Sequence, residues 1–345
     1  MPKKSVENLY ELLEVSPNVS EEVLRAAHKA LAVKYHPDKV GDDRRSKEIS
    51  EAFNILCDPK ARARYEHDFR DATGEVVGEY KILSTIAEGG FGRTYKAEHV
   101  LTGQLVCIKH CHNLDKFDEG ILVEEAQIMW DLRHFSIPAV RGMLRMPDKK
   151  LALVMSYIPG PTLAQIIEKL AERDEKLDPE HVGWITERAL NALRYLHYQG
   201  VVHGDFKPHN IIVEPQKHLA SLVDFGLAKI KPKAKSGNKG YTEFFSAPEV
   251  MDGGTILPES DFYSLGMTMI YALSGDVEHL LRREVPISTP EPMRRFIQRL
   301  IVRNPLSRPR WPDKIGSRDL WDEFLDVRME SFGRGRSNLE PIPGF

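Results

Sequence analysis

Three cysteines in 345 residues, Cys57, Cys107 and Cys111, are too few and too irregularly spaced for a disulfide framework or a zinc site. They read as free thiols in a reducing compartment. No stretch approaches the roughly 18 uninterrupted apolar residues of a membrane span. The opening MPKKSVENLY is charged and lacks the apolar run of a signal peptide. Charge of one sign is also missing: 48 basic and 51 acidic side chains leave a net charge of −3. That balance gives no general pull towards nucleic acid or a membrane surface. There is no internal repeat and no long low-complexity tract. These absences leave a cytoplasmic globular chain, long enough for two domains.

Periodicity divides what is present. Residues 1–69 carry helical patterns only, and 70–78 read as a short linker with turn residues at Gly74 and Gly78. Residues 79–155 alternate like strands and are rich in Val, Ile, Tyr and Gly. Residues 160–327 return to helical spacing, broken by a Gly/Lys-rich stretch around 224–249, and 328–345 form an aperiodic tail. The order is a small helical domain, a strand-rich lobe and a helical lobe, an α+β chain overall.

In the first segment Ser20 is placed to cap a helix, with Glu21 and Glu22 in its first turn. Val23, Leu24, Ala27, Leu31 and Tyr35 predict one apolar stripe. Arg25, His28, Lys29 and Lys34 predict a basic ridge on the other faces. Pro37 ends the helix, and Ile49, Ala52, Phe53 and Leu56 mark another that stops at Asp58-Pro59. His36-Pro37-Asp38 falls in the loop of this hairpin. By itself the tripeptide is a helix terminator. Within LYELLEVSPNVSEEVLRAAHKALAVKYHPDK and EISEAFNILCDPKARARYEHDF, however, residues 8–69 resemble a J-domain. The resemblance implies docking on a DnaK-type chaperone, with the basic ridge meeting an acidic surface and His36, Pro37 and Asp38 triggering ATP hydrolysis there.

The second segment has a glycine cluster, Ala87-Glu88-Gly89-Gly90-Phe91-Gly92-Arg93-Thr94, between two strand-like runs. Glycines allow backbone to approach phosphates and aim N–H groups at them. Val106-Cys107-Ile108-Lys109 follows, and a lysine in an apolar strand needs partners for its ammonium. A helix over 117–133 offers Glu125, with Glu124 as its neighbouring alternative. The pair is either a structural ion pair or a device that orients Lys109 onto nucleotide phosphates. The wording EGGFGRTYKAE resembles the N-lobe of bacterial eukaryotic-like protein kinases, with Ala87 where that family has a first loop glycine. The resemblance implies a bilobal protein-kinase fold with an antiparallel-sheet N-lobe and a helical C-lobe. It also implies ATP contacts from residues 87–92, Thr94, Cys107, Lys109, Met155, Tyr157 and Ile212, with the hinge at 156–160.

Asp178-Pro179 opens a long helix, and Val202-His203-Gly204-Asp205-Phe206-Lys207-Pro208-His209-Asn210 follows it. Leu222-Val223-Asp224-Phe225-Gly226 comes after one more strand. Two carboxylates, a lysine and an amide at this spacing suit phosphoryl transfer, which needs a proton acceptor, cations and oxygen ligands for a hard metal ion. By resemblance Asp205 deprotonates the acceptor hydroxyl, Lys207 neutralises the transferring group, and Asn210 and Asp224 hold Mg2+. His203 is expected to be a core residue under Phe225, while His197 and His209 carry no further signal. Ala247-Pro248-Glu249, Asp261 and Arg308 complete the frame, with Arg308 expected to pair with Glu249.

Gly204 stands where most protein kinases have the arginine that gathers a phosphorylated activation loop. Activity is therefore expected without phosphorylation at Ser236, Tyr241 or Thr242. The leading reading is an ATP- and Mg2+-dependent serine/threonine kinase with protein substrates. Two alternatives stay open: a nucleotide-binding scaffold that serves the J-domain, and a small-molecule phosphotransferase of the aminoglycoside or choline type.

Overall fold

The computed structural model describes residues 9–15, 19–35, 43–62, 64–65, 74–89, 92–111, 116–232, 240–312, 317–333 and 341–345. They belong to two compact units, residues 1–119 with 142–154, and residues 120–141 with 155–345. His36, Pro37, Asp38, Gly90, Phe91 and Ser236 lie outside the described residues. Among those described, no helix is long and apolar enough to cross a membrane.

Among the described residues the first unit starts with the helices α1 (Leu9–Leu12), α2 (Glu21–Lys34) and α3 (Asp43–Cys57). Ser20 caps α2 as expected, its Oγ accepting from Val23 N at 3.5 Å. Leu24 and Leu31 of α2 meet Ile49, Ala52 and Leu56 of α3 in a core closed by Tyr10 and Leu13. The stripe is narrower than its sequence pattern. Val23 is 54% exposed, and His28, assigned to the basic ridge, stacks on Phe53 with centroids 4.1 Å apart. The physical reason is that α2 packs on α3 along one line, where residues seven apart recur, so Val23 falls off the contact. Arg25, Lys29 and Lys34 do stay exposed, Arg25 beside Glu21 at 2.5 Å and Lys34 beside Glu14 at 3.5 Å.

A six-stranded sheet follows, in the order β1-β2-β3-β4-β6-β5. Its strands are β1 (Val76–Val77), β2 (Tyr80–Gly89), β3 (Gly92–His99), β4 (Leu105–Cys111), β5 (Val140–Arg145) and β6 (Leu151–Ser156). Sequence placed the linker at 70–78, yet Val76 and Val77 already pair with Lys81 and Tyr80. Gly78, at φ +59°, makes the tight turn that lets so short a strand fold back. Period-two alternation in β4 sends Val106 and Ile108 into a core with Ile82, Tyr95, Ala97 and Val154. Cys107 and Lys109 therefore share the opposite face. Behind them His110 Nε2 lies 3.2 Å from Asp148, and Lys150 Nζ 3.3 Å from it. Burial works against the Asp148 charge, but the hydrogen bond and charge of His110 outweigh it and hold the carboxyl well below its usual range.

The second unit is mainly helical. It contains α4 (Lys116–Met129) for all but its first residues, then α5 (Leu163–Ala171) and α6 (Pro179–Tyr198). The hairpin β8 (Ile211–Glu214) with β9 (Leu219–Leu222) follows, along with the small pair β7 (Val201–Val202) and β10 (Lys229–Ile230). After α7 (Pro248–Met251) come α8 (Pro258–Ser274), α9 (Val277–Arg282), α10 (Glu291–Leu300) and α11 (Leu320–Phe332). Asp178 caps α6 with Pro179 at its first position, and Val182, Ile185, Ala189, Leu193 and Leu196 are all buried. Helix α8 buries fourteen of its seventeen residues, including Asp261. A charged residue in so apolar a helix requires partners, and they define the site.

Candidate active site

Asp261 anchors the segment that carries Asp205. Its Oδ2 accepts from His203 N and its Oδ1 from Gly204 N, each at 2.8 Å. Gly204 sits at φ +77°, and a Cβ there would come 2.9 Å from Leu227 O. Glycine adopts that backbone without penalty. His203 is fully buried, its ring 4.9 Å from that of Phe225, which is the core position expected for it.

His197 departs from its sequence reading. Its Nε2 lies 2.8 Å from Asp261 Oδ2, while Trp311 Nε1 donates to its Nδ1 at 2.8 Å. Acceptance at Nδ1 puts the ring proton on Nε2, so His197 donates to Asp261 and aims that carboxylate. A histidine at the end of an amphipathic helix carries no local sign of this, because its partners lie 64 and 114 residues away. His209 is exposed, in keeping with its reading.

Four side chains meet on this anchored loop. Lys207 Nζ is 2.8 Å from Asp205 Oδ2 and donates to Thr242 Oγ1 at 2.8 Å. Thr242 Oγ1 in turn donates to Asp205 Oδ1 at 2.6 Å. Asn210 Nδ2 donates to Asp205 O and Oδ2, both at 2.9 Å. Thr242 is the participant that sequence reasoning missed, having treated it as a phosphorylation candidate. It is held by reciprocal bonds, its N–H to Ser246 Oγ at 2.9 Å and Ser246 N–H to its carbonyl at 3.1 Å. Phe244, between them, takes φ +70°, a strained backbone kept by that closed turn.

The expected metal ligands lie at one end of the β8–β9 hairpin, where Val223 N donates to Asn210 O at 2.9 Å. Asn210 commits its amide nitrogen to Asp205, which leaves the amide oxygen as its remaining ligand atom. Asp224 is exposed at φ +65°, its Oδ1 accepting from Gly226 N at 3.3 Å. An amide oxygen and a carboxylate suit a hard divalent cation. Glu125 is 1% exposed whereas Glu124 is exposed, and Glu125 Oε1 accepts from Phe225 N at 3.1 Å. Glu125 thus ties α4 to the segment starting at Asp224.

Further on, Arg308 reaches Glu249 with Nη1 at 2.7 Å and Nη2 at 2.9 Å. Its remaining donors go to the carbonyls of Val302, Glu259 and Arg303. Burial opposes the Glu249 charge, yet the bonds from Arg308 and Ser260 keep its carboxyl below the ordinary value. In the strand-rich unit, Ala87 and Glu88 are exposed near the end of β2, and Gly89 pairs with Gly92. A Cβ on Gly92 would fall 1.9 Å from His110 O, so only glycine fits where β3 meets β4. Thr94 lies opposite Lys109 in that pairing. In the helical unit Met155 is buried, Tyr157 half-buried, and Ile212 bridges to Thr162.

Residues 80–315 match the model of the protein kinase domain, and residues 8–66 that of the DnaJ domain. The chain belongs to the protein kinase domain family. Over 247 residues it is 30% identical to maternal embryonic leucine zipper kinase of Danio rerio, covering 70% of this chain and 34% of that protein. Serine/threonine-protein kinase pkn3 of Myxococcus xanthus is 28% identical over 312 residues, 79% of this chain and 56% of its own length. Serine/threonine-protein kinase D of Synechocystis is 29% identical over 219 residues, 58% of this chain and 41% of that one. This chain thus spans less than two thirds of each of these relatives.

Proposed function

We propose that the chain is a serine/threonine protein kinase that transfers the γ-phosphate of ATP to protein hydroxyls. The observation that carries this reading is the Asp205, Lys207, Asn210 and Thr242 cluster. In the proposed reaction, Asp205 orients the acceptor hydroxyl and takes its proton as the oxygen attacks the γ-phosphorus and ADP leaves. Lys207, already held beside Asp205, supplies positive charge where the transferring phosphoryl group gathers negative charge. Thr242 fixes both side chains before substrate arrives. Lys109, with residues 87–92, is proposed to hold the ATP phosphates. Asn210 and Asp224 would hold magnesium, which when bound neutralises charge on the β- and γ-phosphates.

The J-domain half is proposed to dock a DnaK-type chaperone through His36, Pro37 and Asp38 and the exposed Arg25, Lys29 and Lys34. The chaperone, or clients bound to it, would then be brought to the kinase. The small-molecule reading is weaker because Lys207, Ala247-Pro248-Glu249 and the match of residues 80–315 to the protein kinase domain favour a protein kinase. The scaffold reading is weaker because Asp205, Lys207 and Asn210 stand together. Transfer from radiolabelled ATP to a generic protein substrate tests the proposal. Asp205→Asn should lower the rate by about 10²–10⁴-fold; equal labelling by both proteins would contradict it. Stimulation of chaperone ATPase should survive Asp205→Asn and vanish in His36→Gln.

A further inference from the structure

The tail, aperiodic in sequence, ends in a seated turn. Ile342 is 1% exposed, and Phe345 N donates to Ile342 O at 3.0 Å. Pro343 and Gly344 occupy the two middle positions, with Gly344 at φ +82°, the signature of a type II turn. Such a turn is rigid before it docks, which lowers the entropy cost of binding. It rests on the C-terminal end of α5. Lys169 Nζ donates to Gly344 O at 2.8 Å and lies 4.2 Å from the centre of the Phe345 ring. The Arg173 guanidinium packs so closely on Gly344 that a Cβ there would come within 3.0 Å of it.

The opposite end of α5 is tied to the catalytic segment. Thr162 and Gln165 form a reciprocal cap at its start. Val213 N donates to Pro161 O at 2.9 Å, and Thr162 bridges to Ile212. A Cβ on Gly160 would strike Val213 O at 2.2 Å, so the chain has no slack there. The helix also packs on the 3-10 turn Pro208–Asn210. One rigid element therefore has the tail at one end and the support of Asn210 at the other.

We infer that the C-terminal end of α5 is a peptide-docking site whose ligand is the chain's own Pro-Ile-Pro-Gly-Phe segment, residues 341–345, and that occupancy braces Asn210. The site selects a proline-glycine turn with a branched aliphatic residue before it and an aromatic ring after it, set under an ammonium. The chemistry is a hydrogen bond to carbonyl, a cation–π contact and one buried side chain.

Ile342→Asp and Gly344→Ala variants of the 345-residue chain test this, the first unseating the buried side chain and the second forcing strain and contact with Arg173. Hydrogen exchange of amides 163–171 should speed up about tenfold in Ile342→Asp and less in Gly344→Ala. The kcat/KM for Mg·ATP should fall by about threefold to tenfold as Asn210 loosens. Synthetic Pro-Ile-Pro-Gly-Phe at about millimolar concentration, matching the effective concentration of a tethered segment, should restore both. The control peptide Pro-Asp-Pro-Gly-Phe should restore neither. Unchanged exchange in both variants, or faster exchange that the first peptide does not reverse, would overturn the inference.

Discussion

Helices α2 and α6 are both amphipathic, begin with a side-chain cap and have acidic residues in their first turns, yet they serve opposite ends. Helix α6 buries twelve of its twenty residues, among them polar Thr186 and Glu187, because other elements surround it. Helix α2 buries Leu24 and Leu31 alone among fourteen. An amphipathic pattern thus gives the direction of a core, while the number of elements packed around the helix sets how wide the buried stripe becomes. The open face of α2 leaves Arg25, Lys29 and Lys34 in solvent, and the enclosed α6 leads into the segment that carries Asp205.

The largest effect is expected on the enclosed side. Arg308→Ala leaves the half-buried Glu249 charge with the Ser260 hydroxyl but without its cationic partner and should cost about 3–5 kcal/mol in urea unfolding of the kinase domain. The pH dependence has a definite sign. The folded Glu249 carboxyl titrates below its ordinary value of 4.5, so its contribution is fully present above that pH and disappears as pH falls through the depressed value. Arg308→Ala should flatten that part of the stability profile.

On the open side, Leu24→Ala removes a fully buried side chain from a small core and should cost about 2–3 kcal/mol. In a domain of this size that is a large share of the total stability. Chaperone stimulation should fall while phosphotransfer persists, which circular dichroism melts and the two assays can separate. Val23→Ala, although part of the same sequence stripe, should change stability by less than about 0.5 kcal/mol. A cost near that of Leu24→Ala would show α2 to be as enclosed as α6 and erase the contrast.

What was legible in the sequence was whatever local pattern encodes. The caps at Ser20 and Asp178 and the buried side of α6 follow from spacing, whereas the Arg308–Glu249 bridge follows from the resemblance to the kinase family. Illegible were features that depend on which distant element arrives beside a residue. Thr242 meets Asp205 and Lys207 only because its segment doubles back on them, and His197 gains its role from Asp261 and Trp311. Val76 and Val77 are too short a run to register as a strand without the turn at Gly78. The tail showed only an aperiodic stretch, and neither its turn at Pro343-Gly344 nor the helix that receives it.

A hydroxyl at position 242, rather than a phosphate, bridges Asp205 and Lys207. Phosphotransfer rates of Thr242→Ser, Thr242→Ala and Thr242→Glu measured side by side are the direct test. Thr242→Ser should stay within a few-fold of the parent, whereas Thr242→Ala should lose about tenfold or more, in line with a lost hydrogen bond to a charged group. Thr242→Glu, with a carboxylate pressed against Asp205, should be no better than Thr242→Ala. An active Thr242→Glu beside an inactive Thr242→Ser would contradict the account and make 242 a phosphorylation switch.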